Sequence, residues 1–461
     1  MDHRIEHDML GEKTLPSAAY WGIHTQRALE NFFLGEGRVA LPLIRAIAMV
    51  KKACAKANSE LGFLPPKKAS AIMAVCDEIM IGELEDQFIL DPLQGGAGTS
   101  TNMNVNEVIA NRGLEMMGCP KGDYTTLHPL EDVNLHQSTN DVYPTAVKVA
   151  AILELKRLSA GIAELQGALQ RKEKEFAAVV KLGRTEMQDA VPLTLGAEFS
   201  GWAEAIARDR WRTFKCEERL RVVNIGGTAV GTGIGAPRDY IFLVIEKLRE
   251  VTGLGMSRGE NPVGETANAD VFVEVSGILK AHAVDILKMA NDLRLMNMLG
   301  EVKLPAVQAG SSIMPGKVNP VILEAVSQAA LKVMANDMLV AEAASRGTGQ
   351  IVEFMPLLAD ALLSSLELLN NTSVILTRHI DGIKADEERC RYYFDRSRML
   401  ITAFVPVVGY DRCNELLKEF DLTKKDNLRV FLTERLGVET VDKVLSPHNL
   451  VGLGYRKNAS S

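Results

Sequence analysis

From Ala146 to about Val179 the chain has no proline, and Leu155, Leu158, Ile162, Leu165 and Leu169 recur at spacings of 3, 4, 3 and 4. That is the apolar stripe of one uninterrupted helix. About 33 residues at ~1.5 Å each span roughly 50 Å, more than most globular folds ask of a single helix. Such a stripe is buried only against partners of similar length, which points to a bundle. The same periodicity predicts helices near 195–223, 268–298, 321–344 and 356–383, with shorter ones near 40–60 and 65–85. Apolar residues are 47% of the chain but aromatics only 5%, and Ala, Leu, Val and Met dominate, which suits packed helices. The expected fold is all-α, an elongated central five-helix bundle, with no strand–helix alternation of the kind a nucleotide-binding sheet needs. Residues 1–40 read as mixed and loop-rich, 117–145 as irregular, and the region after about 395 as shorter, more charged helices. The expected division is therefore 1–140, 141–394 and a small C-terminal domain, 395–461.

The net charge of −7 and the lack of any long Lys/Arg block argue against nucleic acid as a partner. Six scattered cysteines with no CxxC pair suit reduced thiols. The polar start, Met1 to Asp8, is unlike a signal peptide, and no apolar run reaches membrane-spanning length. The expected compartment is the cytoplasm, and no membrane contact is expected.

Between the helices lie polar, glycine-rich connections. Gly310-Ser311-Ser312-Ile313-Met314-Pro315-Gly316-Lys317-Val318-Asn319-Pro320 interrupts helical sequence with residues that break or end helices. Its glycines let backbone N–H groups approach a ligand, its serines supply hydroxyls, Lys317 a fixed charge and Asn319 an amide. Read alone, such a loop is better taken as a flexible surface connection with a chance lysine. Thr99 and Ser100 follow Gln94-Gly95-Gly96-Ala97-Gly98, where helix capping would explain them. Ser138, Thr139 and Asn140 fall in a polar turn ahead of Pro144, and Gly183 to Ala190 reads as a helix–helix turn with a surface arginine. Gly226 to Gly233 has neither a preceding strand nor a GK[ST] ending, so a phosphate-binding loop is not expected. No Cys/His cluster has metal-ligand spacing, and no Ser-His-Asp set is evident, with His136, His282 and His379 read as structural or surface residues. The composite suits a cofactor-free, metal-free site for a small polyanion.

Taken together and in this order, the motifs resemble those of the aspartase/fumarase superfamily. The run at 310–320 resembles the signature GSSxMPxKxN. Thr99-Ser100 looks like the first shared region, Gln137 to Thr145 with Gly183 to Ala190 like the second. The resemblance implies a five-helix bundle flanked by two smaller domains, a homotetramer with a twenty-helix core, and active sites shared by three subunits. Ala97 to Asn104, Thr139, and Gly22-Ile23-His24-Thr25 look nearer to aspartases than to fumarases. The implied reaction is reversible loss of ammonia from L-aspartate to give fumarate. On that resemblance Ser311 is the general base, and Lys317 and Asn319 bind a substrate carboxylate. Thr99, Ser138, Thr139, Asn140 and Thr185 hold the α-carboxylate and α-amino group, and Ser100 joins the pocket for the other carboxylate.

Glu186 departs from the pattern, since relatives carry His or Gln there. Its carboxylate would pair with an α-ammonium or share a proton with Glu324, or else turn away onto backbone N–H groups. It would also repel a dicarboxylate. Gly349 to Pro356 lacks the expected Asn, Lys13 replaces an Arg, and His128 to Asp132 is nearer the fumarase form. The rival readings are a fumarate hydratase, a lyase for a related succinyl or modified aspartate substrate, and a structural protein that has kept the fold.

Overall fold

A computed structural model describes residues 2–455; Met1 and residues 456–461, the ends of the expected first and third segments, lie outside the described residues. Five long helices appear where the periodicity placed them: α5 (Thr139–Glu175), α6 (Leu195–Leu220), α9 (Asp270–Leu299), α10 (Val321–Ser345) and α11 (Met355–Asp381). Before and among them come α1 (Ile23–Asn31), α2 (Leu41–Glu60), α3 (Pro66–Met80), α4 (Thr99–Met116), α7 (Arg238–Thr252) and α8 (Pro262–Ala267). After them α12 (Glu387–Arg396) opens a run of short helices ending at Pro447–Leu450. The fold is all-α in class. Residue packing divides the chain into two compact units. The first holds Met1–Ser159, Arg212–Ala281 and Lys332–Asn370, and the second Ala160–Trp211, His282–Leu331 and Asn371–Ser461.

In the first unit α2 lies against α3 and α7, and α3 against α4. The small residues Ala46, Ala53, Cys54 and Ala57 let α2 approach closely, and Ile72, Val75 and Ile79 of α3 fill the seam. The N-terminal region is more regular than expected. β1 (His3–Asp8) and β2 (Gly11–Pro16) form an antiparallel hairpin, and α1 follows. Gly22 gives α1 no side-chain cap. Its orphan donors go instead to Glu107 of α4, which accepts from the N–H groups of Gly22 (2.9 Å), His24 (2.7 Å) and Thr25 (3.1 Å) and from the Thr25 hydroxyl (2.6 Å).

Burial pushes the Glu107 carboxyl up from the usual carboxylate range to about 7. A raised folded-state pKa adds stability at low pH that is lost as pH rises through that value. The loss expected between pH 5 and pH 8 is roughly 3 kcal/mol. Urea midpoints at the two pH values check it. In Glu107→Gln this part of the slope should vanish, and an unchanged slope would assign it to another group.

The second unit contains a hairpin, β3 (Val180–Thr185) with β4 (Gln188–Thr194), where a helix–helix turn was expected. It packs on the C-terminal helices through Val180, which joins a core of Phe394, Leu400, Phe404, Leu416, Leu428 and Phe431. Each fully buried Phe there contributes about 2 kcal/mol by area removed from water. Two further two-stranded pairs are minimal, Val222–Val223 parallel to Ser257–Arg258 and Val302–Lys303 antiparallel to Lys384–Ala385. The strand Val222–Val223 ends three residues before Gly226, so the expectation of no strand before that loop is corrected.

Candidate active site

In the first unit, the starts of α4 and α5 are joined. Gly98 takes φ +94° at the α4 N-cap, and a Cβ there would lie 2.4 Å from the Tyr143 ring of α5. Asn102 Nδ2 reaches Thr139 Oγ1 at 3.2 Å. Thr99 and Ser100 therefore open α4 one turn from Thr139, with Thr99 exposed and Ser100 half-buried. Capping does not explain them. Thr99 Oγ1 donates to the Gly96 carbonyl, and the α4 amide of Thr101 goes to Gln94 Oε1.

α5 begins seven residues before the expected Ala146 and runs through Pro144. Ser138 Oγ accepts from the Asn140 N–H (3.2 Å), and Asp141 Oδ1 accepts from the Ser138 N–H (3.0 Å), which is a capping box. Pro144 has no N–H to give the Asn140 carbonyl, and Asn224 Nδ2 supplies that donor at 2.9 Å. Asn140 Nδ2 in turn donates to the Ala229 carbonyl at 2.7 Å. Only an NH2 can meet a carbonyl, so the Asn140 Oδ1 is the atom left for a ligand.

Behind this turn lie two buried charges that the sequence reading missed. Lys51 of α2 is fully buried and donates to Asn134 Oδ1 (2.7 Å) and Gln137 Oε1 (2.9 Å). Burial pulls its ammonium down to about 7. Asp141 is equally buried, and burial pushes its carboxyl up to about 7. The Ser-x-x-Asp spacing at 138–141 was a readable sign of the second; Lys51 carries no local signal.

In the second unit, Thr185, Glu186, Met187 and Gln188 make the β3–β4 turn. Glu186 and Met187 have φ of +53° and +61°, a conformation that costs non-glycine residues on the order of 1 kcal/mol each. Thr185 and Glu186 are exposed. Among the described residues no hydrogen bond joins Glu186 to Glu324 or to backbone N–H groups, two of the three arrangements expected for this carboxylate. Arg184 is no surface arginine. Its Nη1 meets the fully buried Glu301 Oε1 at 2.7 Å, while Lys181 Nζ lies 3.3 Å from Glu301 Oε2.

The 310–320 segment is a closed loop. Gly310 N donates to the Lys317 carbonyl and Asn319 Nδ2 to the Gly310 carbonyl, both at 2.8 Å. A Cβ on Gly310 would stand 2.8 Å from that Lys317 oxygen, so only glycine closes the loop. Asn319 thus spends one of its two amide hydrogens inside the loop. Ser311 Oγ accepts from the N–H groups of Ile313 (3.2 Å) and Met314 (3.0 Å), two donors aimed at one half-buried hydroxyl. Lys317 is exposed and has no ion-pair partner among the described residues. Glu324 is half-buried in the first turn of α10. No hydrogen bond among the described residues ties this loop to Thr185 or Glu186.

His136 holds Asn58 through Nδ1 at 2.7 Å and packs on Phe63 and Tyr240. His282 pairs with Asp209 (2.9 Å), and both it and His379 are buried rather than on the surface.

A family model described as Lyase matches residues 11–335. An aspartate ammonia-lyase of a Bacillus species is 42% identical over 467 residues, covering 99% of each chain. The aspartate ammonia-lyase of Escherichia coli K12 is 42% identical over 98% of this chain and 97% of its own. Among solved structures, a fumarate lyase:delta crystallin from Brucella melitensis bound to cobalt superposes with a TM-score of 0.93. It is 46% identical and covers 98% of this chain and 100% of that one. A class II fumarase from Schistosoma mansoni has a TM-score of 0.91 at 31% identity, over 98% and 99% of the two chains. Fold, loops and relatives together define an all-α enzyme, a carbon–nitrogen lyase. The chain belongs to the lyase family of the aspartase/fumarase superfamily.

Proposed function

We propose that the protein eliminates ammonia from L-aspartate to give fumarate. The observation that carries this is the Ser311 hydroxyl under two backbone donors. A serine is a base only as its alkoxide, and two N–H groups stabilise that charge. The alkoxide takes the C3 proton, and the electron pair moves into the neighbouring carboxylate as an enediolate-like intermediate. Its collapse forms the C=C bond while the α-ammonium departs as ammonia. Lys317, exposed and unpaired, has its charge free for that carboxylate, and Asn319, which gives one amide hydrogen to the Gly310 carbonyl, has the second to offer it. Thr99, Ser100, Ser138, Thr139, Asn140 and Thr185 hold the remaining polar groups. The 310–320 loop, with Ile313 84% exposed, closes over substrate and excludes water.

The same reading makes the working protein a cytoplasmic homotetramer whose sites combine residues of three subunits. It also divides the chain into 1–140, 141–394 and 395–461. In support, the long helices expose large apolar side chains, among them Trp211, Val284, Leu331 and Met338. Among the described residues no helix is long and apolar enough to cross a membrane.

The test is ultraviolet detection of fumarate from L-aspartate and from L-malate, offered separately. Fumarate from aspartate alone supports the reading, and fumarate from malate alone replaces it with a hydratase. Lys317→Ala should raise KM and lower kcat, together about 10²-fold in kcat/KM; wild-type kinetics would place the lysine elsewhere. Glu186→Gln should preserve or improve aspartate turnover if the carboxylate is merely tolerated at the hairpin tip. A collapse in rate would make Glu186 part of the mechanism and point to a modified aspartate as substrate.

A further inference from the structure

The Gly226–Gly233 loop is the glycine-rich motif that the chemistry above leaves unused. Its first part is buried and its edge, Ala229, Val230 and Thr232, is exposed. It is held at both ends. Gly231 (φ +86°) packs so tightly on the second anchor that a Cβ would stand 2.4 Å from the Pro262 carbonyl oxygen. The first anchor is Asp141. Its Oδ2 accepts from the N–H groups of Gly226 (3.1 Å) and Thr228 (3.0 Å), while Oδ1 holds the Ser138 N–H (3.0 Å). A capping box needs only the last of these. The other oxygen is committed to a loop more than 80 residues away, the same loop whose Ala229 carbonyl fixes the Asn140 amide.

We propose that Asp141 is a positioning residue: it docks the Gly226–Thr228 backbone on the Ser138–Asn140 turn, and the Ala229 carbonyl so placed keeps Asn140 Oδ1 turned toward the substrate ammonium. This rests on the reading of Asn140 as a substrate contact. In Asp141→Asn one of the carboxylate oxygens becomes an NH2 facing N–H donors, so at least one anchor is lost. The loop moves, the Ala229 carbonyl leaves, and the Asn140 amide is free to rotate. The loss falls on ligands that carry an amine and spares those that do not.

The experiment compares the full-length wild type with Asp141→Asn for aspartate turnover and for inhibition by succinate, a dicarboxylate without an amine. The expected result is a KM for aspartate raised about 10-fold, kcat within about 3-fold, and a succinate inhibition constant within about 3-fold of wild type. Equal weakening of both ligands, or of neither, overturns the inference. Gly231→Ala displaces the loop at Pro262 without touching Asp141 and must show the same selective loss, which decides the matter if Asp141→Asn does not fold. A wild type that forms no fumarate from aspartate removes the underlying reading and this inference with it. A competent wild type with an unselective variant removes the inference alone.

Discussion

Ser311→Ala is expected to lower fumarate formation from aspartate by about 10²- to 10⁴-fold, the range associated with a positioned general base. The expectation follows from the loop's own bonding. The Ile313 and Met314 amides converge on Ser311 Oγ, and cutting the side chain back to a methyl group removes the atom they serve. The loop itself should survive. It is closed by the Gly310 amide on the Lys317 carbonyl and by Asn319 on Gly310, neither of which involves the serine side chain. The variant should therefore keep its circular dichroism and thermal midpoint while losing turnover, and KM should change far less than kcat. Near-normal kcat in a folded variant would remove Ser311 as the base.

Glu301→Ala should cost about 3–5 kcal/mol of folding stability, the penalty for breaking a buried ion pair from one side. Glu301 is fully buried and answers two cations, Arg184 at 2.7 Å and Lys181 at 3.3 Å, whose side chains are themselves largely withdrawn from water. Lys181 keeps a second partner, Glu198, at 2.5 Å, so the loss should fall mainly on Arg184 and lie near the lower end. Glu301→Gln, which keeps one acceptor for Arg184, should lose less. Urea denaturation measures both. A change below about 1 kcal/mol in the alanine variant would mean that water screens the cluster as it does a surface pair. Arg184 immediately precedes Thr185, so amide exchange at the β3–β4 turn should quicken in the same variant.

The long helices were legible because a 3.6-residue period is a property of consecutive side chains, and their ends fell within a few residues of the structure for four of the five. The exception, α5, starts early because the donor missing at Pro144 is replaced from Asn224, 80 positions further on. The β3–β4 hairpin was not legible for a related reason. Its turn, Glu186-Met187, lacks the glycine or asparagine that marks such turns, and Gly183 and Pro192 inside its strands argue against them. It is held by packing of Val180 on the C-terminal core. The candidate chemistry was legible as motifs, since Ser311, Lys317, Thr99 and Asn140 sit in short strings of distinctive residues. Their partners were not.

By itself, the sequence determined the helical class, the places of the long helices and the polar loops that carry the proposed chemistry, because each depends on neighbours along the chain. The tertiary structure alone decided which charges are withdrawn from water. Glu107, Lys51 and Glu301 look like any other charged residues in sequence, and the spacing around Asp141 marks a cap but not its second anchor; each is buried against donors or acceptors from distant segments. Desolvation and directed hydrogen bonds depend on where segments meet in space, and those encounters turn capping residues and turns into an arranged site.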